Sequence, residues 1–138
     1  MYSSFPKGSG ILEGSGFRQT MAKRTHGEET SSDCKPYLRA IQDAQDILGG
    51  KWKIKIIGSL AFSNKRYMEL QRVVAGIGSK MLSKELQELE VNGLVKRSII
   101  ATRPITVEYE LTEYGRTLQP VLDALAHWGQ AHRTKMMN

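Results

Sequence analysis

The chain has 138 residues, with Lys+Arg 20 against Asp+Glu 14 and a net charge of +6. That length suits one hydrophobic core with short extensions. No run of about 18 apolar residues is present, so a membrane-spanning helix is excluded. The N-terminal stretch lacks a basic segment followed by an apolar one, so no secretory signal is expected. Cys34 is the one cysteine and has no internal disulfide partner. A cytoplasmic, reducing setting is therefore expected.

The charge is unevenly placed. Residues 51–103 hold eleven Lys/Arg and four acids, net +7, while the segments on either side are near neutral. An excess of that sign favours an anionic partner.

Residues 1–33 read as a flexible tail, because glycines among Ser and Thr leave no sustained apolar period. Met21 is a candidate internal start, with residues 1–20 an extension or scar before it. A domain is expected over residues 34–132, and a C-terminal tail over 133–138. Pro36 suits a first helical turn, and Tyr37, Ile41, Ala44 and Leu48 follow at helical spacing up to Gly49–Gly50. A second helix is predicted over about Lys51–Phe62. Its apolar stripe is Trp52, Ile56, Ile57 and Leu60, with Lys51, Lys53 and Lys55 on the remaining surface. Ser63 and Asn64 are turn and N-cap types. A third helix is predicted from about Lys65 to Val74, burying Tyr67, Leu70, Val73 and Val74.

Ala75–Gly78 breaks the chain. A fourth helix is predicted over Ser79–Val91, with Leu82, Leu86 and Leu89 on its core side and Gly93 ending it. Leu94–Ile100 and Val107–Leu111 form a hairpin around Pro104. Thr112 caps a last helix carrying Leu118, Val121, Leu122, Leu125 and Trp128. Pro120 should kink or split that helix near Gln119. The fold class is mainly α with a small β-hairpin, an α+β winged helix-turn-helix.

With three leucines inward, Ser79, Lys80, Ser83, Lys84 and Gln87 project from the fourth helix. Such side chains donate to phosphates and base edges, and an α-helix fits the DNA major groove. The same residue types also make a plain solvated face. Glu85, Glu88 and Glu90 lie off this strip and are expected to set orientation by repelling the DNA backbone. Arg103 at the hairpin tip is placed to enter a minor groove. Lys65 and Arg66, at the predicted start of the third helix, suit phosphate. The partner these features imply is double-stranded DNA.

No GxGxxG, P-loop, HExxH or CxxC occurs, and His127 and His132 share no helical face for metal, so no cofactor or metal is implied. His26 lies in the tail, and nothing orients a Cys34–His127 pair for catalysis. The chain is expected not to be an enzyme. A helix N-terminus and Lys35 favour the Cys34 thiolate, and Asp33 opposes it. An incidental thiol remains the alternative.

Several stretches in order resemble one known family. They are Gly49-Gly50-Lys51-Trp52, Arg66-Tyr67-Met68-Glu69-Leu70, Gly76-Ile77, Lys80-Met81-Leu82 and Asn92-Gly93-Leu94-Val95. Val107-Glu108-Tyr109, Leu111-Thr112, Gly115, Pro120 and Trp128-Gly129 complete the set. Over about residues 34–130 the chain resembles the HxlR-type winged-helix transcriptional regulators, related in architecture to the MarR group.

The resemblance implies a homodimer on a pseudo-palindromic operator, with the fourth helix reading DNA. It implies dimerisation through the terminal helices, here Tyr37, Ile41 and Leu48 with Leu118, Val121, Leu122, Leu125 and Trp128. Many members carry a Cys just before the first helix and some sense oxidants or electrophiles with it, a place that Cys34 matches; a small ligand held between the dimerisation helices is the other route to a switch. The sequence departs from the family at Gly78, where Ser is usual, so Ser79 is expected to take over the N-cap. It departs also at Lys35, where Pro is usual, and at Ile105 and Thr106, where an Arg is common. The alternative reading is an architectural basic protein that binds DNA or RNA without sequence preference.

Overall fold

The computed structural model describes residues 31–100 and 103–138. The tail expected over 1–33, with Met21 and His26, lies outside the described residues apart from 31–33. Ala101 and Thr102 at the hairpin tip lie outside them too.

The first helix, α1, spans Ser31–Leu48. It starts earlier than Pro36 predicts, and Pro36 stands in its second turn. The proline ring suits helical φ, but at the sixth position its missing donor removes one intrahelical bond, unlike a proline in the first turn. Gly50 then takes φ +99, a left-handed conformation that ends the helical path. Helix α2 follows over Lys53–Phe62, with Trp52 at its N-cap.

Lys65 and Arg66 do not open a helix. They form a short strand, β1, and helix α3 runs over Tyr67–Val73. The later start leaves Leu70 and Val74 buried, whereas Val73 is exposed, contrary to the predicted stripe. Gly76 turns the chain at φ +90, and helix α4 occupies Ser79–Val91, the predicted bounds. Past Asn92, Gly93 at φ +74 lets its own N–H and that of Leu94 reach the Glu90 and Leu89 carbonyls, at 3.0 Å each.

Strands β2 (Val95–Ile100) and β3 (Thr106–Leu111) make the expected hairpin. The sheet order is β1-β3-β2, antiparallel throughout, so β1 adds a third strand by pairing Lys65 with Tyr109 and Arg66 with Glu108. The four-residue helix α5 is Glu113–Arg116, capped by Thr112, whose hydroxyl accepts from the Gly115 N–H at 2.9 Å. Helix α6 runs over Gln119–Met137. The last helical pattern is thus split at Thr117–Leu118, with Pro120 in the first turn of α6, where its lost donor costs nothing. Residues 133–137, expected as tail, continue α6.

Two units are distinguished. One is residues 47–118; the other comprises the terminal segments up to residue 46 and from residue 119. In the 47–118 unit, Ile56, Ile57, Leu60, Leu70, Leu82, Leu86 and Leu89 are fully buried. Leu94, Val95, Tyr109 and Leu111 close that core from the sheet. Among the described residues no helix is long and apolar enough to cross a membrane.

Candidate nucleic-acid interface

Helix α4 buries Leu82, Leu86 and Leu89 and leaves Ser79, Lys80, Ser83, Lys84 and Gln87 exposed. The predicted strip is therefore assembled on one open face. The N-cap is Gly78, in extended backbone and without a side-chain cap, so Ser79 is the first helical residue rather than the cap.

Two polar contacts fix this helix. The Tyr67 hydroxyl of α3 donates to the Ser79 carbonyl at 2.6 Å and meets Ser83 Oγ at 3.0 Å. Farther along, Lys53 of α2 is only 8% exposed, and its ammonium pairs with both Glu85 and Glu88 at 2.5 Å. Lys53 is not the surface lysine that helical spacing predicts. Glu85 and Glu88 do not stand by to repel DNA; they fasten α4 to α2. Burial alone would lower the Lys53 pKa, but hydrogen bonds to the two carboxylates and their charges outweigh it and hold it above its ordinary value. The hydrogen bond from Lys53 holds the Glu88 carboxyl below the ordinary range.

Lys65 departs from its expected role. Its ammonium donates to Ser59 O at 2.8 Å, Ser63 Oγ at 2.9 Å and Ser63 O at 3.3 Å, capping the carboxyl end of α2. Burial pushes its pKa down. Arg66 stays exposed before α3, where its backbone N–H donates to Glu69 Oε1 at 3.0 Å. Asn64 is not an N-cap; its amide donates to Glu108 and Glu110 of β3, at 3.2 and 3.0 Å.

On the hairpin, Lys96 pairs with Glu110 at 2.9 Å. Arg97 lies opposite Tyr109. Arg103 is exposed at the tip beside Pro104 and Ile105. Sequence reasoning missed Lys51 and Lys55 as a pair. Both ammoniums lie over the Trp52 ring, at 4.8 and 5.2 Å from its centroid. The signal was present, since lysines one residue before and three after a tryptophan can both reach its ring.

The terminal helices carry the other predicted residues. Ile41, Val121, Leu125 and Trp128 are exposed, Tyr37, Leu48 and Leu118 are half-buried, and Leu122 is buried within the single chain. Trp128 stacks on His132 at 5.2 Å. Cys34 is half-buried inside the first turn of α1 rather than ahead of the helix.

Residues 47–137 match the model of the HxlR-like helix-turn-helix family. An uncharacterized HTH-type transcriptional regulator of Bacillus subtilis, YtcD, is 42% identical over 98 residues, covering 71% of this chain and 78% of that protein. Among solved structures, the redox regulator HypR in its reduced form aligns with a TM-score of 0.66 at 36% identity. The alignment covers 71% of this chain and 97% of HypR. The reduced transcriptional regulator YodB of B. subtilis aligns with a TM-score of 0.59 at 36% identity, covering 64% of this chain and 87% of YodB. The matched span of this chain holds the buried core of α2, α3 and α4, the exposed polar strip on α4 and the hairpin that follows it. The chain belongs to the HxlR-like helix-turn-helix family of transcriptional regulators.

Proposed function

We propose that this regulator binds double-stranded DNA sequence-specifically, as a homodimer on a pseudo-palindromic operator. The observation that carries the reading is the open strip Ser79, Lys80, Ser83, Lys84 and Gln87 on a helix otherwise fixed by Lys53 and Tyr67. A rigid helix of this width enters a major groove, and its Lys, Ser and Gln side chains match phosphates and base edges. Arg103 would follow from the hairpin into the adjacent minor groove, and Arg66 would hold phosphate. Lys65 is spent on α2 and contributes little to DNA. The exposed apolar residues Ile41, Val121, Leu125 and Trp128 support a second copy as the partner of the terminal helices.

Selection from random duplexes should yield an inverted repeat with half-sites about one helical turn apart. Enrichment of no sequence, with binding governed by salt alone, would favour an architectural DNA- or RNA-binding protein instead.

Cys34 is the proposed effector site. HypR is a redox regulator solved in reduced and oxidized forms, and YodB is a transcriptional regulator solved reduced and after diamide treatment. With one thiol per chain, diamide would take two hydrogens from the Cys34 thiols of two subunits and leave an inter-subunit disulfide; an electrophile would alkylate one. Diamide should release DNA from the natural chain and leave Cys34→Ser bound. Equal release from both would assign the effector role to another group or to a small ligand.

A further inference from the structure

Tyr67 has a single hydroxyl hydrogen. The Ser79 carbonyl, 2.6 Å away, can only accept, so that hydrogen is spent there. The Tyr67 oxygen also lies 3.0 Å from Ser83 Oγ. With no tyrosine hydrogen left for that contact, the donor must be the serine hydroxyl. Ser83 therefore commits its one hydrogen inward, and only its oxygen lone pairs are left for solvent or a ligand.

The consequence for recognition is chemical. In the major groove, adenine N6 and cytosine N4 carry amino hydrogens, whereas guanine O6 and N7 and thymine O4 only accept. A serine free to rotate suits either class, but one with its hydrogen fixed suits only the amino groups. We propose that Ser83 reads an exocyclic amino group of adenine or cytosine as an obligate acceptor, and that Tyr67 is the positioning residue that sets this polarity. The proposal rests on α4 being the DNA-reading helix.

The test uses the full-length protein and its selected operator. Ser83→Ala locates the base pair, as the one position where sequence preference weakens. Operators are then synthesised with that amino group deleted, using purine for adenine or pyrimidin-2-one for cytosine. The natural protein should lose about 5- to 10-fold in affinity, the scale of one hydrogen bond, and Ser83→Ala should lose nothing further. Tyr67→Phe keeps the ring and frees the serine hydrogen. Replacing that base pair by one that presents a carbonyl oxygen at the same place, guanine O6 or thymine O4, should cost the natural protein about 10-fold or more, but Tyr67→Phe, whose freed serine can donate to the carbonyl, about 3-fold or less relative to its own affinity for the intact operator. Melting temperatures of both variants check the fold.

The proposal is overturned if Ser83→Ala shifts no position, if amino deletion weakens Ser83→Ala as much as the natural protein, or if Tyr67→Phe discriminates against the carbonyl-bearing pair as strongly as the natural protein does. Failure of the underlying reading looks different. Lys80→Ala/Lys84→Ala would then select the same operator as the natural chain, which would remove α4 from the groove and this proposal with it.

Discussion

The Lys53 ammonium sits between two carboxylates of α4 and has almost no access to water. Removing it leaves Glu85 buried without its cation, the costly way to break such a pair. Lys53→Met should therefore destabilise the fold by about 3 kcal/mol in urea melts, whereas Lys80→Ala, at an open site, should move stability by less than about 0.5 kcal/mol. The pair also has a pH signature. Lys53 is raised above 10.5, so its contribution is complete below that value and fades as pH rises through the raised pKa. Glu88 is lowered below 4.5, so its contribution is complete above that value and fades as pH falls through the lowered pKa. The stability gap between natural chain and Lys53→Met should be flat between those pH values and narrow on both sides. A gap that keeps narrowing across neutral pH would disprove the pairing. Spacing alone places Lys53 between Lys51 and Lys55 as one more surface cation. Only the crossing of α2 and α4 puts it opposite two acids more than thirty residues away, a juxtaposition that one-dimensional periodicity does not carry.

Helices announce themselves in this sequence where their ends are local. Helix α4 keeps its predicted bounds because Gly78 and Gly93 punctuate it and three leucines recur between them. Strand β1 is illegible for the opposite reason. It is two residues long and exists only because β3, more than forty residues later, pairs with it. The extended backbone this pairing imposes moves the start of α3 to Tyr67 and turns Lys65 inward. A second long-range fit occurs at Gly115. A Cβ there would overlap the Leu94 carbonyl oxygen and stand 3.1 Å from its carbon, backbone atoms of the group that also receives the Thr112 N–H. Gly115→Ala must push α5 away from the junction of α4 and β2, and should cost about 2–3 kcal/mol by thermal melting, as overpacking does. An unchanged melting temperature would mean that the junction yields freely. Thr112→Ala, which removes a cap without a clash, should cost about 1 kcal/mol.

For the whole molecule, the +7 excess over residues 51–103 is less available than the raw count suggests. Lys53 and Lys96 are paired with acids and Lys65 caps α2, leaving Lys80, Lys84, Arg66 and Arg103 among the exposed cations. The terminal helices instead expose apolar groups, with Trp128 67% and Leu125 49% accessible. If these are covered by a second copy, Leu125→Asp/Trp128→Asp should convert dimer to monomer in sedimentation. It should also weaken operator binding by at least about 100-fold, because two linked half-sites become one. A dimer that persists would move the interface elsewhere. The proposed dimer residues are legible as an apolar stripe, but the stripe also takes in Leu122, which the chain itself buries. Periodicity marks which residues avoid water, not whether the same chain or another covers them.

Whether α4 reads DNA is decided by the affinity of Lys80→Ala/Lys84→Ala for the selected operator and for a scrambled duplex, across a salt series. A DNA-reading α4 should give at least about 30-fold weaker binding to the operator, a smaller ratio of operator to scrambled affinity, and a salt slope shallower by about 0.9 for each phosphate no longer neutralised, with oligomeric state and melting unchanged. Affinity, ratio and slope all equal to those of the natural chain would contradict it.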